Sequence, residues 1–175
     1  MIHGSKITLR TVREADLDTL FSLLSDLENR GPYFHHDLPS EADFKKRFHE
    51  TGFWTEERGR LLICDQADRI LGLISYYNEP KYYDGRELGY ILFDQASRNQ
   101  GYMTEAVTLL VRYLFANYKI NRIQILVFPH NLASRRVAEK CGFKLEGIAR
   151  EAIFLVGQDN DVEVYSILRS EVDLS

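Results

Sequence analysis

Six consecutive residues, Arg98-Asn99-Gln100-Gly101-Tyr102-Met103, set a cation, two side-chain amides and a glycine directly ahead of the longest apolar-periodic stretch in the chain. A helix start carries backbone N–H groups without intrahelical partners and the positive end of the helix dipole, so such a place favours an anion, above all a phosphate. Gly101 permits φ > 0 or a close backbone approach, and Arg98 adds positive charge beside it. The same residues also suit an ordinary strand-to-helix turn, and residue types alone leave both readings open. A P-loop needs a lysine and Ser/Thr after its second glycine, and a dinucleotide loop needs three spaced glycines. Neither pattern is present.

Other reactive residue types carry less. His35-His36-Asp37 offers ligand atoms, but no further ligand stands at a recognisable spacing, so no metal is expected. Cys64 and Cys141 lie in apolar segments without ligand spacing and read as buried free thiols rather than a disulfide. Neither is placed as a reactive nucleophile. The formal net charge of -4 argues against a nucleic-acid surface and is compatible with a cationic partner such as an amine. No apolar run approaches the ~18 residues of a membrane span, and the start lacks a signal-peptide core, so a cytoplasmic protein without membrane contact is expected. With 175 residues, 45% hydrophobic and 27% charged, one globular domain over 1–175 is expected.

The elements that must position these residues follow from periodicity. Ile7 and Leu9 alternate as in a strand, and Thr11 with Glu14 makes a capping box for a helix bearing Leu17, Leu20, Phe21 and Leu24. Asn29, Gly31 and Pro32 end it. Tyr33 and Phe34 follow in a loop; aromatics there either line a pocket or fold onto the core, and the burial habit of large rings favours the core. Ser40 caps a helix with Phe44 and Phe48. Leu61 to Cys64 and Ile70 to Tyr76 read as a hairpin about a polar turn. Glu87 to Phe93 is a strand, and Met103, Ala106, Val107, Leu110, Val111, Leu114 and Phe115 fall on one helical face. Ile123 to Phe128 is a strand, Asn131 caps a helix ending near Cys141-Gly142, and the strands Phe143 to Phe154 and Val162 to Leu168 complete the set. The order is mixed α/β, with one crossover unit between the fourth and fifth strands and otherwise antiparallel pairing.

The stretches Glu87-Leu-Gly-Tyr-Ile-Leu-Phe93, Arg98-Asn-Gln-Gly-Tyr-Met-Thr-Glu-Ala106, Asn131-Leu-Ala-Ser-Arg-Arg-Val-Ala-Glu-Lys-Cys-Gly-Phe-Lys-Leu-Glu-Gly147 and Asp161-Val-Glu-Val-Tyr-Ser-Ile-Leu-Arg169 together resemble the GNAT acetyltransferase superfamily, its RimJ/RimL-type branch most closely. The resemblance implies a mostly antiparallel α/β sheet of six to seven strands, splayed between strands four and five, with about four helices. It implies acetyl-coenzyme A as co-substrate in a V-shaped cleft and transfer of the acetyl group to an amine by direct attack in a ternary complex.

Site residues carry over position by position. Residues 98 to 103, with Thr104 in the same turn, correspond to the pyrophosphate loop. The backbone of Ile91, Leu92 and Phe93 corresponds to the strand that holds the pantetheine arm, and Asn131 would contact that arm from the other side. Arg136 either reaches a cofactor phosphate or is solvated. Met103 departs from the family's small residue, and a larger side chain there could narrow the loop. An alkylamine with a pKa near ~10 is protonated at neutral pH, so attack needs a proton acceptor. Glu87 matches the position of a base in many relatives, its alternative being a solvated strand carboxylate. A backbone N–H of Ile91 to Phe93 is the natural donor to a developing oxyanion. The thiolate, with a thiol pKa of about 8.5, leaves with only a hydroxyl hydrogen bond. The tyrosine many relatives use there is Ala138 here, and Ser134 matches the serine that the RimJ/RimL branch places near the sulfur, its alternative being a helix cap.

RimJ/RimL relatives acetylate protein N-termini, including ribosomal proteins, whereas similar sequences acetylate polyamines, amino acids or antibiotics. Specificity is expected in the loops at 29–39 and 156–160. A non-catalytic acetyl-coenzyme A sensor is the alternative of another class. Tyr82 and Tyr83 either cover the core or serve a homodimer interface.

Overall fold

The computed structural model describes residues 1–34, 37–78 and 84–174. In chain order the elements are β1 (Ile2–His3), β2 (Thr8–Thr11), α1 (Leu17–Ser25), α2 (Leu27–Arg30), α3 (Glu41–Thr51), β3 (Arg58–Cys64), β4 (Ile70–Tyr77), β5 (Gly85–Leu92), α4 (Tyr102–Asn117), β6 (Arg122–Val127), α5 (Leu132–Lys140), β7 (Lys144–Leu155) and β8 (Gln158–Leu168). They form one sheet in the order β1-β2-β3-β4-β5-β6-β8-β7. Every neighbouring pair is antiparallel except β5 and β6, which the crossover through α4 makes parallel. The seven anticipated strands are all present, and the two-residue β1 makes an eighth. The four anticipated helices are joined by α2, a single turn that Asp26 starts by accepting from Glu28 N at 2.9 Å.

Strand alternation gives the sheet two apolar faces. One packs Ile7, Leu9, Ile63 and Ile74 against Val107, Leu110 and Leu114 of α4, and the other packs Leu62, Leu73, Ile91 and Phe93 against Leu20 and Leu24 of α1 and Phe44 of α3. On β5 this sends Leu88, Tyr90 and Leu92 toward the α4 face and Ile91 toward the α1–α3 face.

One start signal is corrected. Thr11 and Glu14 do not cap α1; a short 3-10 turn over Glu14–Asp16 precedes it, and Asp16 Oδ2 accepts from Arg13 N at 2.7 Å. Asp16 is drawn there by the buried Arg10, whose guanidinium donates to both of its carboxylate oxygens. A cation inside the protein needs such a partner, and that requirement outweighs the local capping pattern. Ser40 and Asn131 cap α3 and α5 as anticipated.

The parallel seam is short. β5 and β6 pair from Gly85↔Arg122 to Leu88↔Ile125. Beyond it β5 stays with β4 as far as Leu92, while β6 stays with β8 as far as Val127. Each strand follows its outer neighbour, and the sheet parts between them.

Candidate active site

The parted strands open a cavity of about 780 Å³. On the α4 side it is bordered by the loop before α4 and by the first turns of α5; on the α1 side by residues 30–34 and Phe128. Arg30 shapes that second border, with its guanidinium donating to the Leu24 carbonyl and, at 2.8 Å, to that of Asp37. Tyr33 stacks on Phe128 with ring centroids 5.6 Å apart, and Phe34 lines the cavity while packing on the core. Both rings border the cleft, and Phe34 also folds onto the core as the burial habit of large rings favours.

The loop from Arg98 to Met103 takes its shape from two residues at positive φ, Asn99 at 60° and Gly101 at 82°. Gly101 is the N-cap of α4 and offers no side chain to the first-turn N–H groups. Arg98, Asn99 and Gly101 to Thr104 line the cavity; Gln100 does not, and its carbonyl instead accepts from Lys6 Nζ at 3.0 Å. Glu105 draws the start of the chain against the same turn, accepting from Ser5 N, from Ser5 Oγ at 2.9 Å and from Lys6 N. Lys6 and Glu105 were not singled out in the sequence, because nothing in the local pattern brings residues so far apart together. Met103 is buried in the core and also lines the cavity, so its bulk stands at the floor of the loop.

The backbone of β5 needs a correction. Phe93 N donates to Leu71 O at 3.0 Å, so this N–H is spent on β4 and Phe93 itself is buried under α1 and α3. An antiparallel ladder alternates its bonding residues, which puts Ile91 on the same side as Phe93. The groups facing the parted side belong to Tyr90 and Leu92. Ile91 and Leu92 both line the cavity; Phe93 does not.

Glu87 sits on the seam, where its Oε2 accepts from Gln124 Nε2 at 2.7 Å. Asn131 lines the cavity while its Oδ1 accepts from Ser134 N at 3.1 Å. Asn131 thus does the capping. Ser134 Oγ instead lies 2.8 Å from the hydroxyl of Tyr90, a residue that sequence reasoning passed over. Arg136 is exposed on the cavity border, whereas its neighbour Arg135 is held by Glu163 and the Pro129 carbonyl. Ala138 is fully buried, with no hydroxyl to offer.

The turn Val156–Gly157 joins β7 to β8 with both residues at positive φ, and no residue of 156–160 lines the cavity. Both cysteines are free, and burial pushes the Cys64 thiol up to about 11 and the Cys141 thiol above its ordinary value. Neither is poised as a nucleophile. No helix among the described residues is long and apolar enough to cross a membrane, and no three His, Cys, Asp or Glu among them are grouped as metal ligands. His35, His36, Tyr82 and Tyr83 lie outside the described residues.

A family model described as the acetyltransferase (GNAT) domain matches residues 6–144. The chain belongs to the GNAT acetyltransferases, in their RimJ/RimL-like branch. This GNAT chain is 32% identical to the Bacillus subtilis protein YjcK, named a probable N-acetyltransferase, over 98% of both chains. It is 28% identical to the ribosomal-protein-serine acetyltransferase of Escherichia coli, over 74% of this chain and 72% of that one. Its fold matches that of the spermidine N-acetyltransferase of Vibrio cholerae, solved with CoA and spermine, with a TM-score of 0.83 at 21% identity over 96% of this chain and 98% of that one. The protein is a GNAT N-acetyltransferase, and the parted strands are the GNAT splay anticipated between the fourth and fifth strands.

Proposed function

We propose that this GNAT enzyme moves the acetyl group of acetyl-coenzyme A onto the α-amino group of a protein or peptide N-terminus, with donor and acceptor in the cleft together. One observation carries the acceptor class. Among the described residues, the cleft is bordered by the cations Arg30, Arg98, Arg136 and Lys140 and by no carboxylate. A polyamine keeps several positive charges after one nitrogen reacts and needs carboxylates to hold them, whereas a peptide N-terminus brings a single amine with a pKa of about 8, a fraction of it neutral at neutral pH. The Escherichia coli relative is named for acetylating a ribosomal protein, which supports the same class.

The residues present suit the cofactor. The uncapped first turn of α4, with Gly101 left-handed and Arg98 beside it, would take the pyrophosphate on backbone N–H groups from Gly101 to Thr104. Arg136 and Lys140 would face a further phosphate. The open backbone groups of Leu92 and Tyr90 on one side and Asn131 on the other would hold the extended arm, and Leu92 N–H is the nearest candidate for an oxyanion donor. Acetyl-coenzyme A supplies an activated acyl group as a thioester. Glu87, held by Gln124 on the seam and not itself on the cleft border, would take, through water, the proton that the amine must shed. Ser134 offers a hydroxyl at the leaving-group end.

Calorimetric titration with acetyl-coenzyme A, followed by thiol-release assays on a peptide beginning with serine and on spermidine, tests this reading. Micromolar cofactor binding with turnover of the peptide supports it. Absence of binding overturns it, a preference for spermidine overturns the acceptor class, and binding without any turnover leaves only a cofactor-binding module.

A further inference from the structure

We propose that Tyr90 is the positioning residue of the leaving-group end: its hydroxyl reaches across the parted strands from β5 to α5, donates to Ser134 Oγ, and leaves the serine hydrogen turned into the cleft. The inference rests on the reading of Ser134 given above and adds a second residue to it.

The Tyr90 oxygen stands 2.8 Å from Ser134 Oγ and 3.5 Å from the Ser134 carbonyl oxygen. The first is a normal O–H···O separation and the second is at the limit. That carbonyl also lies inside α5, where the helical bond from Ala138 uses it. Ser134 N–H is bound to Asn131, so the serine hydroxyl has no capping duty. The pairing thus joins the side chains of two elements that the splay holds apart, and both residues border the cavity.

Which hydroxyl donates follows from their chemistry. A phenol is a far stronger acid than an aliphatic alcohol and the better donor of the two. Burial pushes the Tyr90 phenol above its ordinary pKa, with the Ser134 hydrogen bond pulling the other way, so it keeps its proton throughout the neutral range. Tyr90 is therefore a fixed donor rather than an acid. A serine oxygen that accepts from it is polarised, and its own hydrogen becomes a stronger donor toward the cleft.

The reaction has a place for that donor. Acetyl transfer breaks the thioester C–S bond as the N–C bond forms; the amine sheds one proton, and the departing sulfur holds a negative charge until it takes one up. A hydroxyl pointed at the sulfur stabilises that charge without itself ionising. In many GNAT enzymes α5 supplies a tyrosine for this end, and here that position is the buried Ala138. Tyr90 brings a phenol in from the opposite strand, working through the serine.

The test is the ionisation of the thiol of bound coenzyme A, read from thiolate ultraviolet absorbance as pH is raised on complexes with the wild type, Tyr90→Phe, Ser134→Ala and the double variant. Tyr90→Phe keeps the ring and its packing, and melting curves separate loss of fold from loss of the hydrogen bond. Loss of Ser134 raises the thiol's proton affinity roughly tenfold, the scale of a hydrogen bond to a charged group. Loss of the Tyr90 hydroxyl raises it about threefold through lost polarisation, and the double variant matches Ser134→Ala. The kcat of Tyr90→Phe on a serine peptide falls in parallel, with KM for acetyl-coenzyme A unchanged. An unchanged thiol in Ser134→Ala removes the serine's role and this proposal with it. An altered thiol in Ser134→Ala beside an unaltered one in Tyr90→Phe overturns the Tyr90 proposal alone, as do losses that multiply in the double variant.

Discussion

Gln124 Nε2 lies 2.7 Å from Glu87 Oε2 across a rung of the one parallel pair among the described strands. The two residues face each other because that rung aligns them, and Gln124 is buried on its strand. The Gln124 amide donates a neutral hydrogen bond to the carboxylate and so orients Glu87.

Glu87→Gln is expected to lower kcat about a hundredfold near neutral pH, the lower range for a positioned base. The loss shrinks above about pH 8, where a peptide amine is already neutral. Gln124→Leu is expected to give a smaller loss of the same pH form. The pH–rate profiles check both, and profiles parallel to wild type would remove Glu87 as the base.

Gly101→Ala places a Cβ on a residue at φ 82°, while the nearest atom, Lys6 Nζ, would stand 3.5 Å away in ordinary contact. The penalty is conformational, about 1–2 kcal/mol. If the loop escapes it by opening, the penalty appears as roughly tenfold weaker acetyl-coenzyme A binding by calorimetry. Unchanged binding with unchanged melting would take this loop out of the cofactor site.

Tyr33→Ala removes the stack on Phe128 at the α1-side border of the cleft. The expected outcome is a KM for peptide raised roughly 2- to 10-fold, from the 0.5–1.5 kcal/mol of an aromatic pair, with the acetyl-coenzyme A affinity unaltered. A change in cofactor affinity instead would put this border on the donor side.

Asp16 governs acid stability near β2. Burial opposes its ionisation, but the hydrogen bonds from Arg10 and from Arg13 N–H outweigh that and hold its pKa below the ordinary aspartate value. A carboxyl depressed on folding contributes stability above its unfolded pKa and loses it as pH falls through the folded one. Asp16→Asn is expected to cost about 2 kcal/mol at pH 7, and the gap from wild type should narrow below about pH 4. Urea melts at the two pH values measure it.

Most of this arrangement was legible before the structure. The apolar face of α4, the caps Ser40 and Asn131, and the glycine ahead of α4 are local signals, and each element formed as its own residues dictate. The remainder depends on which strand lies beside which. Phe93 stands one residue past the end of a strand that reads well from sequence, and the direction of its N–H depends on Leu71 and is invisible to a strand pattern. Tyr90 was hidden for the same reason: alternation gives its face, but only the approach of α5 brings it to Ser134. Arg10 shows tertiary need overriding a local cap, since its carboxylate partners lie six and 58 residues away. The loop at 29–39 borders the cleft in part and the turn at 156–160 does not, a difference set by packing that composition could not reveal.

Among the described residues, the seam from Gly85↔Arg122 to Leu88↔Ile125 is the strand pairing that joins the two halves of the sheet. Under mechanical load those rungs are where the molecule is expected to yield, because the wedge above them concentrates stress at their end. A ligand seated in the wedge would touch both plates, and by binding only the folded state it would raise the resistance of that joint to parting.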